Sequence, residues 1–354
     1  MRHTLYLHIG VHRTATTSIQ RFLRGNTQAL ALRGVLNPGG LSRHHVLAGR
    51  ILSGQADAVA AELTAEARAA GAAAGCPVRA IVLSDEDICT RTDIARLARL
   101  SAHFEVRVIF VIRRQDLWLE SWYRQNVKWQ WNPDLAHLTF AEFLARRRRF
   151  FWIDYDATVT RLERLFGADA VRVMVFEKDA MPEGPVAAFA RAIGLDSLDG
   201  LELGQHANAS LSALTTEFMR QLPLDEFPTR TRRVVEQACT RMDWHVRQRH
   251  GAQSPWHMDA ATRAAVMAEH AAGNAALAQR RFGRAVLFAE PLPPADAPLA
   301  PTALPGDTAA LMQVFVAPLL RHLIALGVGG AQKDAATKGG SGEGGSGQTG
   351  DAEA

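Results

Sequence analysis

Residues 7–23, "LHIGVHRTATTSIQRFL", run from an apolar stretch through a glycine and a basic, hydroxyl-rich loop into a helical pattern. Upstream, "TLYLHI" at 4–9 is apolar and β-prone, and from Thr17 the apolar residues Ile19, Phe22 and Leu23 fall at helical spacing. The unit is strand, loop, helix. Such a loop exposes unpaired backbone N–H groups and the positive end of the helix dipole, which suits a phosphate or sulfate. Arg13 adds a fixed cation, and Thr14, Thr16, Thr17 and Ser18 add hydroxyl donors around Ala15. A nucleotide-kinase loop would carry a second glycine and a lysine at fixed offsets from Gly10, where Ala15, Thr16 and Thr17 stand instead. The plain alternative is a strand-to-helix connection in which a Thr or Ser serves as N-cap.

The same alternation continues along the chain. "RAIVLSDE" at 79–86, "VRVIFVI" at 106–112 and "VRVMVF" at 171–176 read as buried strands, with helices expected over 55–74, 114–129 and 186–195. Four apolar strands alternating with helices predict an α/β fold, a parallel central sheet flanked by helices, whose ligands bind beyond the carboxyl ends of the strands. Residues 205–290 read as mainly helical and rich in Arg and His, and 306–327 as an amphipathic helix. Residues 1–327 form one expected domain; 328–354, with "KGGSGEGGSGQTG", have the composition of a disordered tail.

A second motif lies at the end of the 106–112 strand. "VIRRQDLWLESWYRQ" at 111–125 places Arg113 at the sheet edge and Ser121 eight positions later, in the second turn of the next helix. The guanidinium can contact two oxygens of an anion and the hydroxyl a third. Taken with "HRTATT" at 12–17, this pair resembles the donor-binding motifs of the sulfotransferases that use 3′-phosphoadenosine 5′-phosphosulfate (PAPS). "HRTATT" matches the family's Pro-Lys-Ser/Thr-Gly-Thr-Thr loop with Arg for Lys and Ala for Gly. Weaker similarities are "VRVMVFEKDAMPEGPVAAFARAIGL" at 171–195, "HANASLS" at 206–212 and "GNAALAQRRFGRAVLF" at 273–288.

The resemblance implies a P-loop NTPase-like sulfotransferase fold with additional C-terminal helices. It also implies a PAPS donor held by Arg13, Thr14, Ala15, Thr16, Thr17, Ser18, Arg113 and Ser121, and Phe176 near the adenine. The two departures bear on the loop. Arginine keeps the charge of lysine but cannot give up a proton, and alanine restricts backbone angles that glycine leaves open.

Sulfuryl transfer needs an in-line acceptor, a base and cations on the leaving phosphate. Arg13 is placed among the catalytic groups with Glu86, which lies in "LSDED" just past a strand and is the expected base. A competing reading makes Asp85, Glu86 and Asp87 the first turn of a helix, complementing its dipole. His44 and His45 are the runner-up bases. Arginine and backbone donors can take the place of Mg²⁺ on a terminal sulfate, so no metal is expected. Trp118, Trp122 and Trp129 suit either an acceptor cleft or packing on the sheet, and Asn208 and Ser210 either a nucleotide-side loop or a plain turn.

Composition narrows the partners. With 47% hydrophobic residues the chain can bury a substantial core, and its three cysteines, Cys76, Cys89 and Cys239, have neither disulfide nor zinc spacing. The "RRRR" run at 146–149 reads as a solvated surface, so no nucleic acid is expected. No membrane span or signal peptide is read, which makes a cytoplasmic enzyme the expectation. The acceptor is expected to be a small molecule or a glycan. Two other classes fit the same fold: a P-loop kinase of a small metabolite and a non-catalytic nucleotide-binding protein.

Overall fold

Five parallel strands, β1 (Thr4–His8), β2 (Val35–Leu36), β3 (Ala80–Ser84), β4 (Glu105–Ile112) and β5 (Val171–Val175), form one sheet in the order β2-β3-β1-β4-β5. This computed structural model describes residues 2–204 and 210–327; Asn208 and the expected tail at 328–354 lie outside the described residues. Four of the five strands are those expected from the apolar runs. The fifth, β2, has two residues, too few to leave a period in the sequence.

Both faces of the sheet are covered, which is why its strands are continuously apolar. On one face Leu5, Leu7, Val108, Phe110 and Ile112 pack with Trp118, Tyr155 and Val159. On the other, Val82, Ile109 and Val111 pack with Ile19, Phe22 and Leu23 of α1 (Thr16–Gly25) and with Phe189. Each of these fully buried large side chains contributes about 1.5–3 kcal/mol. Right-handed crossovers fix the two faces: the chain leaves β1 toward β2 on one side and leaves β4 toward β5 on the other, so the helices that follow lie on opposite faces. A crevice therefore opens between the carboxyl ends of β1 and β4. Both sequence motifs begin there.

Helix α2 (Ala56–Ala74) matches the expected alanine-rich segment, and α3 (Gln115–Trp129) follows β4. The remaining longer helices are α4 (Tyr155–Phe166), α5 (Pro185–Ala192), α6 (Ala213–Arg220), α7 (Thr229–His250), α8 (Ala260–Phe282) and α9 (Ala317–Ala325). A buried charge network locks α3 in place. Arg114 pairs with Asp116 at 2.7 Å, Arg263 of α8 pairs with Asp116 and, at 2.9 Å, with Glu120, and Glu120 also accepts the backbone N–H groups of His257 and Met258. Breaking one partner of such a network costs about 3–5 kcal/mol, because it strands a buried charge. This fixes where the inner face of α3 points.

Two stretches bear on the sequence expectations. Residues 146–149 include a 3₁₀ turn, Arg147–Arg149, in which Arg147 pairs with Glu269 and Arg149 with Asp134, in keeping with a solvated surface. The C-terminal stretch differs from the sequence reading: Thr308–Ala325 is long and apolar enough, by length and composition, to cross a bilayer, and only 17% of it is buried. It contains a π turn at Met312–Val316, directly before the Pro318 that cannot donate to a regular helix, and it lies against α7. The three cysteines are free thiols.

Candidate functional site

The loop from β1 to α1 is built on close approach. Gly10 passes over β4, where an added Cβ would lie 3.1 Å from the Val111 Cβ, and Val11 continues the ladder by donating to the Val111 carbonyl at 3.0 Å. Beyond it, Arg13 (φ 69°) and Ala15 (φ 63°) both take the left-handed conformation. For an alanine this costs about 1–2 kcal/mol, so Ala15 holds the backbone shape that glycine would adopt freely. Ala15 is the N-cap of α1 and no side chain caps that end; the Ser18 N–H donates back to the Ala15 carbonyl at 2.9 Å, which leaves the N–H groups of Thr16 and Thr17 for an anion. The N-cap alternative therefore fails: the hydroxyls are not used as caps. Paired left-handed residues at a helix start form a concave nest of N–H groups, an anion-binding shape.

The side chains divide sharply. Thr14 is fully buried and its hydroxyl donates to the Val11 carbonyl at 2.6 Å, so it braces the loop and does not face the cleft. Ala15, Thr16, Thr17 and Ser18 line a cavity of about 490 Å³ together with Arg13, Glu86, Arg113 and Phe176. Arg13 Nε donates to Ser121 Oγ at 2.7 Å and its Nη1 to Gln125 Oε1 at 2.8 Å, while Arg113 Nη1 donates to the Arg13 carbonyl at 3.1 Å. The two motifs thus meet in one place. Their connectivity differs from the sequence expectation: Ser121 holds Arg13, and Arg113 also braces the loop backbone.

Among the described residues neither Arg13 nor Arg113 has a carboxylate partner. Burial, and then the neighbouring charges of Arg113 and Arg124, push Arg13 down to about 10; burial and Arg124 push Arg113 down to about 10 as well. Both stay cationic at neutral pH while paying a desolvation cost that an anion in the cavity would offset. The neighbour Arg114 is the opposite case, neutralised by Asp116 and closed off from the cavity.

Glu86 is buried at the cavity wall, where Gln20 Nε2 donates to its Oε2 and Arg43 lies 3.8 Å away. It also begins a 3₁₀ turn, Glu86–Thr90, that Asp85 caps by accepting the Asp87 N–H, as the local reading expected. His44 and His45 are not at the cavity. His45 is exposed, and His44 is buried with Nδ1 accepting the Ser84 N–H at 3.1 Å and Nε2 3.2 Å from the Pro38 carbonyl. That pair of contacts fixes a neutral tautomer with the proton on Nε2.

His44 and the equally buried His8, which faces Ser84 Oγ at 2.8 Å, are each pushed down from 6.5 to about 4, chiefly by burial. The unfolded chain therefore binds more protons between these values, and stability is full above pH 6.5 and lost as pH falls toward 4. Between pH 7 and pH 4.5 each histidine is expected to remove about 2 kcal/mol. Urea midpoints at the two pH values measure this, and His44→Gln should lose less on acidification than the wild type.

Gln125 and His12 escaped the sequence reading, and the named aromatics find their places. Gln125 follows Ser121 by one helical turn and completes the grip on Arg13. Trp118 is fully buried and its Nε1 donates to the His12 carbonyl at 2.8 Å, so it supports the loop and lines no acceptor cleft. Trp122 stacks on Trp118, with ring centres 5.6 Å apart, and meets the His12 ring at 4.7 Å with the planes tilted by 45°. His12 itself lines the cavity and pairs with Asp87 at 2.9 Å. Phe176 lines the same cavity, with the Arg113 guanidinium 5.6 Å from its ring centre. Among the described residues no three His, Cys, Asp or Glu side chains are grouped to hold a metal ion.

No protein-family model matches the chain. A curated relative, an uncharacterized protein of Archaeoglobus fulgidus, is 32% identical over 117 residues, which is 33% of this chain. The match spans 30% of that relative's length. Among solved structures, a sulfotransferase from Alicyclobacillus acidocaldarius aligns over 57% of this chain and 85% of its own, with 16% identity and a TM-score of 0.38. A similarity that loose establishes neither fold nor activity.

Proposed function

We propose that the protein transfers a sulfuryl group from PAPS to a hydroxyl or amine of an acceptor. The observation that carries this reading is the convergence of Arg13 and Arg113, both without carboxylate partners among the described residues, on a cavity that also holds the left-handed loop and Glu86. The residues fit the donor end to end. Its volume of about 490 Å³ lies within the usual range for a small-molecule site, about 300–1,000 Å³. Arg13 and Arg113 suit the anionic groups, and Phe176, Pro185, Val186 and Leu203 offer apolar surface to a planar base.

When bound, PAPS supplies an activated sulfuryl group on a phosphate leaving group. Glu86 takes the proton of the acceptor hydroxyl as the acceptor oxygen bonds to sulfur. Arg13 and the N–H groups of the α1 start stabilise the electron pair left on the phosphate oxygen as the sulfur–oxygen bond breaks. Arg13 acts by charge alone, since a guanidinium does not release its proton. Ser121 and Gln125 hold it in position.

The test is thermal unfolding with the donor product, 3′-phosphoadenosine 5′-phosphate (PAP), against ATP with Mg²⁺. At a hundredfold excess over Kd, PAP should stabilise by about 2.7 kcal/mol, a rise of about 5 °C in Tm. A rise with ATP alone would favour a kinase and overturn the reading. PAP binding without transfer of labelled sulfate to any acceptor would favour the non-catalytic class.

A further inference from the structure

A second cavity, of about 370 Å³, adjoins the first and shares Arg13, Thr17 and Gln125 with it. Its walls are α1, α3, α6 and α7. Thr17 and Arg21 stand one turn apart on α1, and Arg124, Gln125 and Lys128 follow Ser121 along α3. Four cationic side chains, Arg13, Arg21, Arg124 and Lys128, face it against one carboxylate, Glu236, which pairs with Lys128 at 2.7 Å. Arg21 and Arg124 have no carboxylate partner among the described residues, and Arg124 is half-buried, its Nη1 donating only to the Pro255 carbonyl. Burial lowers its pKa, so its charge too is held at a cost. Thr17, Thr216, Gln237 and Ser210 add hydroxyl and amide groups to the wall, which Trp129 and Leu211 complete.

We infer that this cavity is the acceptor subsite and that it takes a polyhydroxylated anion, an acidic saccharide carrying a carboxylate or sulfate beside the accepting hydroxyl. The inference rests on the transferase reading for the acceptor role, and on the second cavity alone for the chemistry of the ligand. A hydroxyl entering past Thr17 and Gln125 reaches Arg13 and the donor loop, while its anionic substituent is held by Arg21 and Arg124. A phenol or sterol would leave these guanidiniums desolvated and unpaired. The polar wall offers hydrogen bonds that only a hydroxyl-rich ligand uses.

Calorimetric titration of the full chain with a galacturonate tetrasaccharide, its sulfated neutral counterpart and the unmodified galactose tetrasaccharide tests this. Either acidic sugar should bind at least about tenfold tighter than the neutral one, with a preference that shrinks at high salt. Arg21→Gln, at an exposed position that leaves the fold intact, and Arg124→Gln should each reduce that preference severalfold, with PAP affinity within about twofold of wild type. A wild-type protein that binds the three sugars equally, or a double variant that keeps the preference, overturns the subsite. Absence of PAP binding with the charge preference intact would overturn the transferase reading and leave the anionic-sugar site standing.

Discussion

Arg113→Gln binds PAP about a thousandfold more weakly than the wild type, while the unliganded variant melts no lower. Arg113 stands against Arg13 and Arg124 with no carboxylate partner among the described residues, and its half-buried charge is held at a desolvation cost. Replacing it removes the charge-assisted bonds to the nucleotide. It also relieves a like-charge repulsion in the empty cleft, and the glutamine amide can still donate toward the Arg13 carbonyl. Affinity and stability should therefore move in opposite directions, as expected where a functional charge is kept at the expense of stability. Calorimetry with PAP and thermal unfolding of the free protein read the two quantities. A Kd within tenfold of the wild type would remove Arg113 from the donor site.

The sheet was legible because parallel strands buried on both faces write themselves as unbroken apolar runs, and "VRVIFVI" could hardly lie anywhere but at the centre. β2 was not legible, because its two residues depend on pairing with Ala80 and Ile81, a contact no local window contains. The start of α1 was read to within a residue, but its cap was not legible: an alanine in the left-handed region is set by the path of the loop and not by its own preference. The apolar length of Thr308–Ala325 was underestimated because Arg321 and His322 fall inside it, and the burial that would mark it as a core helix is small.

The site was partly legible for a similar reason. Arg13 and Arg113 follow strand ends, and strand order brings the two ends together. Which arginine of "RR" at 113–114 would stay unpaired was not readable locally, since Arg114 is neutralised through Asp116, which Arg263 also pairs with from α8. His44 illustrates the limit of residue type: its near-neutral chemistry suggested a base, but Ser84 and Pro38 use both ring nitrogens. Trp118 and Gln125 do their work through one hydrogen bond each to the loop, and neither bond has a sequence signature.

Glu86→Gln lowers kcat by about 10²–10⁴ while leaving the PAP Kd within about twofold of wild type. The substitution keeps the shape of the side chain. Its carbonyl oxygen still accepts from Gln20, and Arg43 keeps Asp85 and Asp87, so the turn at Glu86–Thr90 persists. What the amide cannot do is take a proton. The competing base on the same wall is His12, whose Nε2 is already held by Asp87 and whose ring packs against Trp122. Measuring both single variants with one acceptor separates them: His12→Gln should cost less than about tenfold in kcat if its ring only supports the loop. Should His12→Gln lose a hundredfold or more and Glu86→Gln little, the proton passes to the histidine–aspartate pair, and the carboxylate at the β3 exit serves only to start its turn and hold Arg43.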